Sequence, residues 1–272
     1  DIVARSGHVT VSAGKHALFA EAGGKNTVKG DGGMQINGAE SGLYALGSGS
    51  TNMLTANGGN ITIEAANSDS YALRAENKGV NTVSGSEAVT LGGGKFGMHA
   101  ALGGKNSVTG NGVDISATNN ALYASGGSSE NTVNAGNGAA TLSADSAVSS
   151  FLGAQNRITG ASVDINGITN GLFTSGTASV NTVTTGADGT ISITAGQRAM
   201  HAEYYGSNKV ESADGSVTVT GQSTGSGYGY GMSASYGSNT ITTKGGHVTV
   251  TGNGKPGHGM HAESSGSNSI IT

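Results

Sequence analysis

The chain has 272 residues, of which 50 are glycine, one is proline and none is cysteine. It carries 13 basic and 17 acidic residues, a formal net charge of −4, and only 11% of its residues are charged. This composition excludes disulfide frameworks, thiolate chemistry and cysteine-based zinc sites, and it provides no basic surface of the kind that nucleic acids need. No apolar run is long enough for a membrane-spanning helix, and no helical period extends beyond about two turns.

The most regular feature of the chain is an asparagine followed by a variable residue and then by Val, Leu or Ile. This pattern occurs ten times, at intervals of 25 to 31 residues. An internal repeat of that length is typical of solenoid proteins, in which each repeat forms one structural unit. The ten asparagines are Asn26, Asn52, Asn81, Asn106, Asn131, Asn156, Asn181, Asn208, Asn239 and Asn268.

Each repeat contains three short β-like stretches in a fixed order. The first has the pattern of Val9-Thr10-Val11, the second has that of Leu43-Tyr44-Ala45, and the third begins with the asparagine. Glycine, Asn and Asp fill the gaps, which suits turns with positive φ. Because alternate side chains of a strand share a face, each repeat has an inward set that only stacking can bury. In the first repeat that set is Val9, Val11, Leu18, Ala20, Asn26 and Val28.

These observations predict an all-β fold, a right-handed parallel β-helix of about ten coils with three strands per coil. Residues 1–272 would form a single β-solenoid segment, a rod on the order of 50 Å long. Two repeats are irregular: in 140–162 the segment Ala147-Val148-Ser149-Ser150 replaces the second pattern, and 217–247 carries an insertion from Ser223 to Tyr230. Longer loops on one face of a solenoid are often binding sites.

The whole chain resembles the β-helical passenger domains of bacterial autotransporters, in the units SGLYALGSGSTNML, FGMHAALGGKNSVTG and RAMHAEYYGSNKV and in the asparagine-led third strands. The absence of cysteine fits a chain that is threaded unfolded through an outer-membrane pore. The resemblance implies an extracellular or cell-surface rod, attached to the outer membrane or secreted, that acts in adhesion, aggregation or display without catalysis.

Several expectations follow from the resemblance. The partner would be a host or bacterial surface protein, a glycan or a second copy of the chain, and not a nucleic acid. The secretion signal and the C-terminal membrane barrel of that family do not occur here, so we expect a fragment of a longer repeat array that meets the membrane only through the missing barrel. The first and last residues fall at the same point of the repeat without a capping unit, which leaves a filament subunit that stacks end to end as an alternative.

The candidate binding surface is an outward column at the middle of the second stretches, where aromatic residues and histidines predominate. Such groups suit contacts with proteins and sugars, although they also shield a β surface by stacking along it. Tyrosines in the long insertion would extend this surface. The candidate binding residues are Phe19, Tyr44, His99, Tyr123, Phe173, His201, His261, Tyr228 and Tyr230. The ten asparagines, in contrast, are expected to form a structural ladder of stacked amides.

Other functions have weaker signals in the sequence. His201-Ala202-Glu203 and His261-Ala262-Glu263 each place two possible metal ligands on one face, but two coils apart, so we expect no metal site and no cofactor. Outward threonines of the first stretches are similar to those of ice-binding proteins. Gly257-His258-Gly259 matches one short element of polygalacturonases, but two converging carboxylates are not evident. We therefore expect no catalytic residues, and a polysaccharide-acting β-helix enzyme is the alternative.

Overall fold

The computed structural model describes residues 1–223 and 227–272, and this part of the chain consists of β-strands and turns without a helix. Its strands pair in parallel and stack as a β-solenoid of ten coils, which confirms the predicted fold class. Neighbouring coils are in register with the sequence repeat, so that Asn26 lies beside Asn52 and Val28 beside Leu54. Residues 224–226 of the predicted insertion lie outside the described residues.

The third strands of the coils form an 11-stranded sheet that begins with β1, a short strand before the first coil. These strands are β1 (Ile2–Ala4), β4 (Lys25–Gly30), β7 (Thr51–Ala56), β10 (Val80–Gly85), β13 (Lys105–Thr109), β16 (Glu130–Asn134), β18 (Gln155–Gly160), β20 (Val180–Thr185), β23 (Ser207–Ser212), β26 (Ser238–Thr243) and β29 (Ser267–Ile271). This sheet is the most regular part of the solenoid, because every one of its ten full strands contains a repeat asparagine.

The first and second strands together form an 18-stranded sheet. The first strands of eight coils are β2 (Val9–Ala13), β5 (Met34–Gly38), β8 (Ile61–Ala65), β11 (Val89–Gly92), β14 (Val113–Ser116), β21 (Ile191–Ala195), β24 (Val217–Gln222) and β27 (Val248–Asn253). The second strands of the same coils are β3 (His16–Glu21), β6 (Ser41–Leu46), β9 (Tyr71–Glu76), β12 (Phe96–Ala101), β15 (Asn120–Ser125), β22 (Arg198–Glu203), β25 (Gly229–Ser235) and β28 (Gly257–Glu263).

Coils 6 and 7 depart from the predicted three strands per coil. In each of these coils the first and second strands are continuous, as β17 (Ala139–Phe151) in coil 6 and β19 (Ser162–Ser175) in coil 7. Each of these long strands bends at the corner where the other coils have a loop. The register between the two shifts at Ala144 and Ser146, which marks a bulge. A bulge bends a strand and increases its local twist, so the chain passes the corner without leaving the sheet. The repeat that the sequence marked as irregular, 140–162, contains this bulge.

The core consists of columns of aliphatic side chains, one residue from each coil. Ile63, Ile115 and Val219 are fully buried in one such column, as the alternation of the first stretches predicts. Leucine, methionine and one valine form a matching column in the second strands. The Val, Leu or Ile that lies two residues after the repeat asparagine closes the interior in the third strands. A buried Val, Leu or Ile contributes roughly 1.5–3 kcal/mol, and the stacking of coils makes this burial continuous.

The ten repeat asparagines lie in one inward column at the start of the third strands. Their amides form an unbroken chain of nine hydrogen bonds, in which each Nδ2 donates to the Oδ1 of the next coil at 2.8–3.0 Å. Each Nδ2 also donates to a backbone carbonyl of its own coil, as Asn131 does to Tyr123 at 2.8 Å. The acceptor belongs in every coil to the middle residue of the second strand, so the ladder fastens the corner between the second and third strands.

Candidate functional site

The candidate binding column that was predicted from the sequence lies on the outer face of the second strands. Phe19, Tyr44, Arg74, His99 and Tyr123 are register partners in coils 1 to 5. The column continues through Ser149, Phe173, His201, Ser233 and His261. All ten side chains point away from the core, because each lies between two inward residues, as Arg74 lies between Leu73 and Ala75.

A second outward column lies three residues before the first and supplies further rings. It contains His16, Ser41, Tyr71 and Phe96 in coils 1 to 4, and Arg198, Tyr230 and His258 in coils 8 to 10. Tyr71 and Phe96 were not among the binding residues predicted from the sequence. Their position three residues before Arg74 and His99 repeats the spacing of His16 and Phe19, and this spacing could have identified them.

The rings of these two columns in coils 1 to 8, together with Phe151 two residues after Ser149, form a stack that we call the aromatic stripe. Successive ring centroids are 5.1–5.4 Å apart from His16 to Tyr44 and again from Tyr71 to His201. The Arg74 guanidinium joins the two parts, since its Cζ lies 4.5 Å from the Tyr44 ring centroid and 4.7 Å from that of Tyr71. The stripe comprises His16, Phe19, Tyr44, Tyr71, Arg74, Phe96, His99, Tyr123, Phe151, Phe173 and His201. Stacked rings and cation–π contacts of this kind stabilise the sheet beneath them.

A carboxylate fixes the centre of the stripe. Glu76 accepts hydrogen bonds from Arg74 Nε at 3.0 Å and from the Tyr44 hydroxyl at 2.9 Å, and its Oε1 lies 3.8 Å from His99 Nδ1. Burial, followed by the hydrogen bond to Glu76, raises the pKa of Tyr44 to about 12. Tyr44 therefore stays protonated and acts as a donor, and the cluster is a structural fastening across coils 2 to 4.

Two histidines of the stripe are held in the neutral state. Burial lowers the pKa of His99 to about 4 and outweighs the nearby Glu76 carboxylate. Burial, together with Arg198, lowers the pKa of His201 to about 3, although Glu203 lies 3.3 Å from its Nε2 and favours the charged ring. At neutral pH both side chains behave as flat, uncharged rings within the stack.

The structure places the predicted binding residues at unequal depth. Tyr44, His201 and Tyr230 are buried beneath their neighbours, with at most 8% of each residue exposed. His99, Tyr123, Phe173 and His261 are half-buried, whereas Phe19 and Tyr228 are exposed. The residues from coils 9 and 10 belong to a separate stack of Tyr228, Tyr230, His258 and His261. Most of the column is thus covered in part by neighbouring side chains.

Larger exposed side chains lie on the turns between the second and third strands. Leu102, Leu152, Tyr204, Tyr205 and Tyr236 are 46–70% exposed, and we call this row the turn ridge. In coils 4, 6 and 8 the turns are closed by a backbone hydrogen bond between residues three apart, for example from Gly206 N to Glu203 O at 2.9 Å. Two consecutive positive φ angles in such a turn are characteristic of type I′.

The turn ridge carries backbone strain. Tyr204 and Tyr205 have φ values of +47° and +68°, and Tyr236 has +55°. At the position of Tyr205 the turns of coils 1, 4 and 6 have Gly23, Gly103 and Gly153, and those of coils 3 and 10 have Lys78 and Ser265, also with positive φ. A bulky residue with positive φ is an outlier that costs on the order of 1–2 kcal/mol. Tyr204 and Tyr205 were not among the binding residues predicted from the sequence, although an alignment of EAGGKN, ALGGKN and EYYGSN shows tyrosine in a glycine position.

The remaining sequence signals occupy ordinary positions on the surface. His201 and Glu203 are in contact, but their coil is separated from His261 and Glu263 by the coil of Ser233. No group of three His, Asp or Glu residues that could hold a metal ion occurs in the described parts of the chain. Outward threonines follow the first strands in register, interrupted by Gln35, Asp114 and Asp164, as the sequence indicated. His258 of the Gly-His-Gly segment stacks on Tyr230 and His261.

Comparison with known proteins adds no family to this description. The chain matches no protein-family model, no curated protein and no solved structure. Within residues 1–223 and 227–272, no helix is long and apolar enough to cross a membrane. The geometry of the coils is therefore the basis for the functional proposal.

Proposed function

We propose that the chain is a rigid stalk of a bacterial surface or secreted protein, without catalytic activity, that makes adhesive contacts along its turn ridge. Two features support the role of a stalk. The amide ladder hydrogen-bonds every coil to the next, and the aromatic stripe joins coils 1 to 8 on the outside. A rod held on both sides of its second strands resists bending, as a spacer between a cell and its target requires.

The single observation that carries the adhesive role is the strained tyrosine pair of coil 8. Side chains that only cover a sheet need no unfavourable backbone. Glycine occupies the position of Tyr205 in coils 1, 4 and 6, while Lys78 and Ser265 occupy it in coils 3 and 10. Tyr204 and Tyr205 are instead 61% and 70% exposed, and the rings of Tyr205 and Tyr236 lie 6.4 Å apart. Backbone strain is concentrated at functional sites, and exposed tyrosines are frequent anchors in binding surfaces.

This proposal moves the contact surface away from the column that the sequence indicated. The half-buried rings of the stripe stack on one another and support the fold, whereas the turn ridge offers whole side chains to a partner. The partner would be a protein or glycan of a cell surface, or another copy of the same rod.

The test is an adhesion assay on a variant with Tyr204→Gly, Tyr205→Gly and Tyr236→Gly. Beads coated with the chain are scored for mutual aggregation and for retention on immobilised collagen, fibronectin and mucin. Because glycine adopts positive φ freely, the variant should be as stable as the parent or more stable, by up to about 1 kcal/mol per site. Adhesion should fall about 30-fold in apparent affinity, the equivalent of one hot spot of about 2 kcal/mol.

A matched control is Tyr228→Gly, which removes an exposed tyrosine from the other edge of the same sheet face. It should leave adhesion at the parental level. Equal adhesion of the triple variant and the parent, with loss in the Tyr228 variant, would show that the contact surface lies at the insertion and not on the turn ridge.

A further inference from the structure

A polar cleft of about 530 Å³ opens beside the aromatic stripe, at the corner between the first and second strands of coils 2 and 3. It is lined by Glu40, Asn67, Ser68, Asp69, Tyr71 and Arg74. None of these residues belongs to the turn ridge, which lies at the other end of the second strands. The cleft is therefore a separate candidate site.

The cleft exists because coil 3 has a longer corner than its neighbours. Five residues, 66–70, connect β8 to β9, whereas two or three residues make the same connection in coils 1, 2 and 4. The loop is held by backbone hydrogen bonds from Asn67 N to Ala39 O at 3.0 Å and from Ser70 N to Asn67 O at 3.1 Å. The Ser70 hydroxyl also donates to Ala65 O at 2.8 Å. The extra residues thus form a fixed polar wall, and insertions of this kind often form the binding face of a solenoid.

The side chains in the cleft combine hydrogen-bond donors and acceptors. Arg74 is oriented by its hydrogen bonds to Glu76 and by the Tyr71 ring, and it is partly exposed. Glu40 and Asp69 pair with lysines only at the surface, at 3.8 Å from Lys15 and 3.3 Å from Lys95. Exposed pairs of this type are weak, so the carboxylate oxygens can accept hydrogen bonds from a ligand.

Charge balance around the cleft points to an uncharged ligand. The carboxylates of Glu40, Asp69 and Glu76 are matched by the three basic groups Lys15, Arg74 and Lys95. His16, which faces Glu40, has its pKa lowered by burial and adds no charge at neutral pH. Neither an anion nor a cation therefore meets an excess of opposite charge in the cleft.

We infer that this cleft binds a neutral saccharide. Each hydroxyl of a sugar both donates and accepts, which matches a lining that offers a guanidinium, an amide, hydroxyls and two carboxylates within one rigid cleft. The inference rests on the proposed adhesive role and deepens it, because it names the chemical class of a second contact. It concerns soluble sugars and a different set of residues, so it can fail without the turn ridge failing, and the reverse.

The experiment is saturation-transfer NMR on the intact chain with lactose, maltose and cellobiose as neutral probes. Glucuronate and glucosamine serve as an anionic and a cationic probe of similar polarity. At least one disaccharide should bind saturably, and more tightly than either charged probe. Asp69→Ala, which removes an exposed acceptor, should weaken that binding about tenfold.

Asp114→Ala is the matched control, since it removes the same charge from an exposed position on the outer side of β14. It should bind the sugar as the parent does. The inference is overturned if no disaccharide binds, if Asp69→Ala and Asp114→Ala bind alike, or if a charged probe binds more tightly than every disaccharide.

Discussion

The interior of the rod and the outer face of its second strands both bury polar side chains, but they satisfy them differently. In the interior, identical asparagines stack coil on coil, so each amide donates to the coil that follows it and accepts from the coil that precedes it. On the outer face the residues differ from coil to coil and cover one another by ring stacking. The buried Nδ1 atoms of His16, His99 and His201 have no hydrogen-bond partner among the described residues. A column of identical asparagines thus satisfies its buried polar atoms, whereas the mixed outer column leaves these ring nitrogens without a hydrogen bond.

This difference predicts that acid weakens the outer face before the interior. His99 and His201 stay neutral in the fold, while in the unfolded chain they take up a proton below a pKa of about 6.5. Stability is therefore complete above pH 6.5 and should fall as the pH drops toward about 4 for His99 and about 3 for His201. The loss should reach on the order of 3 kcal/mol for each histidine, measured as unfolding free energy in urea across this pH range.

The control uses the residue that the chain itself places in this column, since Ser149 and Ser233 occupy it in coils 6 and 9. A variant with His99→Ser and His201→Ser should lose ring stacking and be less stable at neutral pH. Its stability should then change much less between neutral pH and roughly pH 4.5. An unchanged pH slope would place the acid sensitivity elsewhere in the molecule.

The interior is expected to depend on single residues of the ladder. Asn131→Ala removes the acceptor of Asn106, the donor to Asn156 and the donor to the Tyr123 carbonyl. Three buried polar groups then lose partners at about 1–3 kcal/mol each in the worst case, and partial relaxation should leave a loss of about 3 kcal/mol. Chemical denaturation at neutral pH measures this effect without interference from the histidines.

The neighbouring outward residue provides the comparison for the ladder. Thr132→Ala changes a half-buried side chain of the same strand and should alter the unfolding free energy by no more than about 0.5 kcal/mol. If both substitutions cost the same, the stability of the third strands comes from packing and not from the amide chain.

The repeat made the interior predictable. Asparagine spacing determined the number of coils, and strict alternation identified inward residues such as Ile63, because a column of identical contacts leaves a periodic trace in the sequence. The merging of strands in coils 6 and 7 could not be predicted in the same way. It depends on a bulge near Ala144 and Ser146, and no characteristic residue pattern marks this bulge in the sequence.

The candidate sites were less predictable because they depend on what covers each side chain. The outward direction of Tyr44 and His201 follows from alternation, but their burial follows from the rings of Phe19 and Phe173 in the preceding coil. The strain at Tyr205 requires the turn type, and the cleft at Arg74 requires the path of a five-residue corner. Such features arise from contacts between non-identical residues, and the spacing of the sequence repeat contains no information about those contacts.

The smallest predicted effect concerns two interior positions where a polar residue replaces the alanine of the other coils. Ser150 and Thr174 occupy a column that is alanine in the other coils, and their buried hydroxyls have no hydrogen-bond partner in the described parts of the chain. Ser150→Ala should therefore stabilise the fold by up to about 1 kcal/mol, because it removes an unsatisfied buried group without changing the packing much.

Ser149→Ala is the matched substitution one residue earlier, and it should act in the opposite direction. The Ser149 hydroxyl accepts a hydrogen bond from Asn120 Nδ2 at 2.8 Å, so its removal should cost about 1 kcal/mol. Thermal and urea unfolding of the two variants should thus move to opposite sides of the parent. A loss of stability in both would mean that Ser150 finds a partner in solution, and the interior would then be as fully satisfied at coil 6 as it is along the ladder.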